Sequence, residues 1–126
     1  MLTWVVLGLL IGLAAYIRFS PSDISRWHKE VLAETDKDFA GGAVRVRAGE
    51  LEPLDRIIRA DGSKALAGRV EDGLITYVSR SRIIGFPDYT TVQSKGDRLA
   101  IYGRLRFGRS DFGVNRARIE GWLAQL

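Results

Sequence analysis

Five arginines in the C-terminal half of the chain carry the side chains best suited to recognising another molecule. They are Arg80, Arg82, Arg104, Arg106 and Arg109. A guanidinium group is a planar fork that donates two parallel hydrogen bonds to a carboxylate or a phosphate. Four of the arginines come as two pairs, each separated by a single residue, and alternate residues of a strand point to the same face of a sheet. If the two strands are neighbours, the sequence predicts an arginine-lined face that binds an anion.

Asp88 and Asp111 are the carboxylates embedded among these arginines, and they allow two other interpretations. In the first, the arginines pair with them to fix loops, or simply solvate an open sheet face. In the second, the two carboxyl groups perform acid–base chemistry, which requires a cleft that pushes their pKa values apart. Because nearby arginines keep both groups ionised, a structural role is favoured over catalysis. An enzyme of unrecognised type that uses Asp88, Arg109 and Asp111 remains the alternative.

Other catalytic and metal-binding chemistries have few residues to draw on. The chain has no cysteine, which excludes thiolate metal sites and a cysteine nucleophile, and His28 is its only histidine. Ser110 has no histidine or lysine close to it in the sequence to act as an activating base. We therefore predict no catalytic residue, no metal ligand and no cofactor.

The charge balance limits the class of partner. The net charge of +4 comes from 19 lysines and arginines against 15 acidic residues, and nearly all of the basic residues are arginines. A mild arginine excess suits lipid headgroups, phosphates or acidic proteins. It falls short of the basic stripe that a nucleic-acid binder presents, so we predict no nucleic-acid partner.

The elements that would position these residues begin with an apolar run over residues 2–17, which contains no charge. We interpret residues 1–18 as a membrane anchor, because Trp4 and Tyr16 lie near its two ends as interfacial aromatics do. A cleaved signal peptide and a buried helix of a soluble domain are the alternatives. Arg18, Arg26 and Lys29 follow the run, and by the positive-inside rule they favour a cytoplasmic domain.

Residues 19–42 are predicted to form a juxtamembrane helix and a linker. Ser20 and Pro21 look like a helix start, with a capping side chain followed by proline in the first turn. The apolar stripe that follows either packs on the domain or lies in the lipid interface. It consists of Ile24, Trp27, His28, Val31 and Leu32. Residues 35–42 are polar and end in Gly-Gly, which is typical of a linker.

Residues 43–126 are predicted to form a small α+β domain with the element order β-α-β-β-β-β-α. The predicted strands cover residues 44–47, 64–70, 74–82, 89–93 and 98–107; the predicted helices cover residues 53–60 and the stripe Ile119, Trp122, Leu123 and Leu126. Strands joined by short turns pair antiparallel, and the two helices then cover one face of the sheet. Asp111 or Ser110 is expected to cap the last helix.

Three stretches carry a resemblance to a known family: Arg80-Ser81-Arg82, Phe86-Pro87-Asp88, and the run from Gly108 to Asn115. They are similar to the domain of unknown function 1499 family, and the likeness covers about residues 43–126. Within these motif stretches we predict structural roles, in capping and turn formation, for Asp88, Gly108, Ser110, Asp111, Gly113 and Asn115. In place of the family's Ser-Arg-Ser-Arg before the final turn, this chain has Gly103-Arg104-Leu105-Arg106.

The resemblance implies no reaction, substrate or cofactor. Members occur in bacteria and plastids and commonly carry an N-terminal export or membrane segment, which favours the cell envelope and the periplasmic side. The loss of the two serines removes any role that rests on their hydroxyl groups.

The function expected from these observations is binding rather than catalysis. We expect a single-pass membrane protein whose domain binds an anionic ligand, lipid or protein partner through its arginine-lined face. The enzyme described above and a structural component of the cell envelope are the alternatives. The flanking charges and the family resemblance favour opposite sides of the membrane, and both sides stay open at this point.

Overall fold

The computed structural model describes residues 1–82 and 84–126. In chain order the elements are α1 (Leu2–Phe19), α2 (Ile24–Trp27), β1 (Lys37–Phe39), β2 (Gly42–Ala48), α3 (Leu51–Ala60), β3 (Lys64–Arg69), a 3-10 turn (Val70–Asp72), β4 (Leu74–Arg80), β5 (Pro87–Lys95), β6 (Arg98–Leu105) and α4 (Val114–Leu123). The strands form one antiparallel sheet in the order β1-β2-β6-β5-β4-β3.

The predicted α+β architecture is confirmed, and the sheet gains one strand. Within the polar stretch predicted as a linker, Lys37–Phe39 forms β1 and pairs with the start of β2. All three residues of β1 are exposed, so the stretch shows no alternation of apolar and polar residues. Without that alternation, no periodic pattern indicates a strand here.

The main core lies between the sheet and the two longer helices of the domain, α3 and α4. Its buried members are Ala43, Leu51, Leu54, Ile58, Ile75, Tyr77, Val92, Leu99, Ile101, Ile119 and Trp122. Strand residues of one parity supply the sheet side, and the apolar stripes of α3 and α4 supply the helix side. The Tyr77 hydroxyl donates to Asp55 Oδ1 at 2.6 Å, so the one polar atom of that buried ring has a partner on α3.

Gly103 lets α4 approach the sheet closely. A Cβ atom at this position would stand 2.9 Å from Ile119 Cδ1 and 3.1 Å from Asn115 Oδ1. Both neighbours lie on α4 and are fully buried. The absence of a side chain at residue 103 therefore sets the spacing between α4 and β6.

Gly103→Ala is expected to lower the free energy of unfolding by about 1–3 kcal/mol, because overpacking a tight core forces side chains and backbone to shift. A chemical denaturation curve measures the loss. Gly121→Ala is the matched control, since no atom lies within 4 Å of a Cβ added there. Equal midpoints for the two variants would contradict the close approach.

The face of the sheet opposite α3 and α4, here called the second face, is not open. Residues 20–33, the covering segment, lie across it. Only one turn of this segment, α2, is helical. The helix ends at Trp27 and is therefore shorter than the predicted one. Trp27 and Val31 are buried, whereas Leu32 is 83% exposed.

Hydrogen bonds to strand side chains hold the covering segment in place. His28 Nδ1 lies 2.9 Å from Thr76 Oγ1, and the Val31 N–H donates to Gln93 Oε1 at 2.8 Å. The Trp27 ring stacks on Tyr89 with the ring centroids 4.1 Å apart. Of the two placements considered for this stretch, the structure shows packing on the domain.

Helix α1 meets the sheet at one end only. Within the part of the chain that the structure describes, α1 is the one helix long and apolar enough to cross a membrane. Its mean hydropathy over 18 residues is 1.9. Its Ile17 is buried, and Tyr16 meets Phe107 edge-on with the ring centroids 6.0 Å apart. Arg18 lies so close to Gly85 that a Cβ there would stand 2.8 Å from Arg18 Nη1. These contacts define the α1 end of the sheet, which carries the β4–β5 and β6–α4 connections.

Candidate functional site

Arg104, one of the arginines predicted to line the anion-binding face, is buried beneath the covering segment. It lies on the second face and is only 9% exposed. Its guanidinium donates to Thr91 Oγ1 at 2.8 Å and to the carbonyl oxygens of Trp27 and Tyr102. These bonds fasten the backbone of the covering segment to β6.

The charge of Arg104 has no carboxylate within ion-pair distance among residues 1–82 and 84–126. Burial lowers the pKa of the Arg104 guanidinium to about 10, because desolvation disfavours the charged form. The rings of Tyr102 and Trp27 lie 4.6 Å and 5.4 Å from its central carbon and offer their negative faces to the cation. Carbonyl groups and aromatic rings therefore take the place of a counterion.

Two further arginines hold backbone at the α1 end. Arg106 lies just past β6 and donates to the Pro21 carbonyl and to the Tyr89 hydroxyl, both at 3.1 Å. Arg80, the last residue of β4, donates to the Gly85 carbonyl at 2.9 Å. Both therefore help to shape the end of the sheet that α1 contacts.

Arg82 and Arg109 are exposed at the same end. Both lie beyond the strands, because β4 stops at Arg80 and β6 at Leu105, two residues short of the predicted ends. The structure thus brings the five predicted arginines to one end of the sheet but in three different environments. One is buried, two hold backbone, and two face solvent.

The motif carboxylate Asp111 caps α4. Its two oxygens accept from the Gly113 N–H at 2.9 Å and from the Asn115 N–H at 3.0 Å, and Oδ2 also accepts from the Asn115 side chain at 2.9 Å. The predicted hydrogen bond from a free N–H group of the last helix to Asp111 is confirmed at Asn115, while Gly113 itself occupies the N-cap position. Gly113, with φ +79°, supplies the left-handed turn into the helix.

Asp88 joins the same network through Arg118, a residue for which the sequence predicts no role. Arg118 donates to Asp88 Oδ2 at 3.1 Å and to Asn115 Oδ1 at 2.9 Å. Burial raises the pKa of the Asp88 carboxyl, and the Arg118 charge opposes that shift. The contact between Arg118 and Asn115 could have been predicted from their spacing, because residues three apart are neighbours on one face of a helix.

The polar side chains of the network bond to one another and to the backbone at the start of α4. Each oxygen of Asp111 has a capping partner, and Asp88 is held by a permanent cation. Ser110 Oγ accepts from the Phe112 N–H at 3.2 Å, which places the hydroxyl in the turn. The exposed Gly108, with φ +96°, lets the chain leave β6. The motif residues therefore fix the β6–α4 connection and the side chains that it displays.

An open groove of about 490 Å³ runs between the β4–β5 and β6–α4 connections. Its lining combines apolar rings with the polar groups of the network: Phe86, Phe107, Phe112, Ser110, Asp88 and Arg118. Phe107 also meets Tyr16 of α1, so the groove opens beside the end of that helix. The site is a mostly apolar surface with arginines close by, at the α1 end of the sheet.

Comparison with known proteins gives the family and nothing finer. A family model described as "Protein of unknown function (DUF1499)" matches residues 20–126. No curated protein and no solved structure matches the chain. The match begins at the covering segment rather than near residue 43, which agrees with the packing of that segment on the sheet. The chain therefore belongs to the DUF1499 family of proteins of unknown function.

Proposed function

We propose that the chain is a single-pass membrane-anchored, non-enzymatic domain that binds anionic lipid headgroups through the exposed arginines at the α1 end. The observation that carries the proposal is the contact of α1 with the two connections that bear Arg82 and Arg109. An apolar helix ending at these connections brings them to the level of the headgroups. The domain then presents its guanidinium groups to the lipid surface from which α1 emerges.

The end of α1 has the composition of a membrane–water interface. Tyr16 is followed by Arg18, and such residues are favoured where hydrocarbon gives way to headgroups. Because Tyr16 contacts Phe107 and Arg18 contacts Gly85, the sheet begins at that level rather than at the end of a tether.

The exposed charge of the two connections is positive. Arg82 and Arg109 are exposed, whereas the motif carboxylates Asp88 and Asp111 are partly or fully buried and committed to Arg118 and to α4. A basic residue near an anionic leaflet contributes about 1 kcal/mol of attraction. Two such residues give a preference for anionic lipid that salt weakens, since exposed charges are screened within about 10 Å at 0.1 M.

The test uses a fragment of residues 20–126, which keeps the sheet, α3, α4 and the covering segment. In co-sedimentation, the fragment should bind phosphatidylglycerol-containing vesicles more tightly than phosphatidylcholine vesicles. Arg82→Ala with Arg109→Ala should weaken anionic binding about tenfold or more, because two losses of about 1 kcal/mol exceed the 1.4 kcal/mol of one decade. Arg69→Ala with Arg98→Ala is the matched control, because these exposed arginines lie at the opposite end of the sheet.

Replacement of Arg82 and Arg109 by lysine separates bulk charge from shaped recognition. Lysine keeps the charge and loses the planar fork. Retained binding would indicate a charged surface, and a clear loss would indicate a specific phosphate site. A fragment that folds with the wild-type melting curve but binds both vesicle types equally would contradict headgroup binding.

A further inference from the structure

Phe112 combines two features that do not help the isolated domain to fold. Among the residues that the structure describes, it is the only one other than glycine with a positive φ, at 53°. Its side chain is 93% exposed. A left-handed backbone strains a residue with a Cβ, and an exposed aromatic ring gains nothing from burial. Strain that folding does not require is a sign of function.

The residues around Phe112 hold this conformation firmly. The Phe112 N–H donates to Ser110 Oγ, and the Gly113 N–H donates to Asp111 Oδ1. Asp111 is itself buried, and its N–H donates to the Ala40 carbonyl at 2.9 Å in the β1–β2 turn. The ring is therefore displayed outward by a connection that is fixed on both sides.

The surroundings of Phe112 are apolar and partly exposed. Phe86 and Ile84 are each 38% exposed on the β4–β5 connection, and Val114 is 47% exposed at the start of α4. Phe112 shares a groove with Phe86 and Phe107, and Phe107 contacts Tyr16 of α1. Phe112 is thus the most exposed member of an apolar patch beside the end of α1.

We propose that Phe112 inserts its ring into the interfacial layer of the bilayer that α1 spans, as a second apolar attachment of the domain to that membrane. The occupant is the lipid surface, because the patch lies against the end of the apolar helix and two exposed arginines flank it. An apolar ring beside basic residues is the combination by which peripheral segments bind anionic membranes. The inference rests on the proposed function, since it places the same end of the sheet on the lipid.

The absence of cysteine allows a direct measurement on the full chain. Phe112→Cys carries a single environment-sensitive fluorophore, and the labelled protein is reconstituted through α1 into vesicles of phosphatidylcholine with or without phosphatidylglycerol. The expected result is a blue-shifted emission, strong quenching by nitroxide-labelled lipid, and a several-fold smaller quenching by aqueous iodide than at a control position.

Leu32→Cys supplies that control. Leu32 is also apolar and 83% exposed, but its neighbour Val31 is bonded to Gln93 and Lys95, towards the end of the sheet remote from α1. A label there should be open to iodide and insensitive to nitroxide lipid. Because both substituted side chains are exposed, both proteins should keep the wild-type melting curve. A label at residue 112 as accessible to iodide as the label at residue 32 overturns the proposal.

The two lipid compositions keep this inference separate from headgroup binding. Burial of the label at residue 112 in both vesicle types supports insertion, even if Arg82→Ala with Arg109→Ala leaves the fragment's vesicle preference unchanged. A label exposed in both vesicle types overturns insertion, while an arginine-dependent preference for anionic vesicles would leave headgroup binding intact.

Discussion

Trp122→Ala is expected to lower the free energy of unfolding by about 3–5 kcal/mol, the usual cost of deleting a large buried aromatic ring. Trp122 is 2% exposed and lies in the core between α4 and the sheet, together with Ile119. Its Nε1 atom donates to Asp61 Oδ2 at 2.8 Å, at the C-terminal end of α3. One side chain thus joins both helices that cover the sheet.

A loss of this size is a large part of the stability of so small a domain, which is typically 5–15 kcal/mol in total. Thermal and urea unfolding monitored by circular dichroism measure it. Trp122→Phe is the control that separates packing from the hydrogen bond: it keeps a ring and should cost about 1 kcal/mol for the lost bond to Asp61. A melting curve unchanged in Trp122→Ala would mean that α4 is not docked through this ring.

The seam between α4 and the sheet could be predicted because it follows two simple periods. Leu99, Ile101, Leu105 and Phe107 have one parity along the predicted strand, and Ile119, Trp122 and Leu123 recur at helical spacing. The sequence predicts the seam at Leu105 and Phe107, but these two are only half-buried, and Leu99 and Ile101 supply the strand side of the core. Each periodic pattern identifies the apolar side of its strand or helix. The docking of one element on the other then follows, because both apolar sides must be buried.

The covering segment could not be predicted in the same way, because it is mostly irregular. Its contacts come from single side chains of the strands that bond to its backbone, as Gln93 and Arg104 do, and no sequence period records them. One signal was available in the second face itself. Val44, Tyr89 and Ala100 lie there, and a face with so many apolar residues is unsuited to water.

The same reasoning explains the outcome for the arginines. The alternation along β6 correctly predicts which face of the sheet Arg104 lies on. It does not indicate whether another segment of the chain covers that face. Arg82 and Arg109 lie in connections, where position depends on turns rather than on parity. The proposal of lipid binding therefore rests on the contacts of α1 with those connections, which only the three-dimensional arrangement provides.

Arg104→Ala is expected to release the covering segment and to lower the free energy of unfolding by about 2–4 kcal/mol. The buried Trp27 carbonyl would lose its charged donor and keep only the longer bonds from the Thr91 hydroxyl at 3.3 Å and the Lys29 N–H at 3.2 Å, a loss of about 1–3 kcal/mol. The methylene groups of the arginine stem would leave a void at about 0.8 kcal/mol each. Relief from burying an uncompensated charge offsets part of this cost. The readout of release is trypsin cleavage after Arg26 and Lys29, both exposed within the segment.

Two variants make the test specific to the buried guanidinium. Arg98→Ala removes the same charge from the same face of β6 at an exposed position, so it should leave both the melting curve and the cleavage rate unchanged. Arg104→Met fills most of the volume without a charge or a donor, so it should recover stability relative to alanine while the segment stays more open to trypsin than in the wild type. If Arg104→Ala instead shows the wild-type melting curve and cleavage pattern, Arg104 does not fasten the segment, and its guanidinium is available to bind an anion as the sequence first suggested.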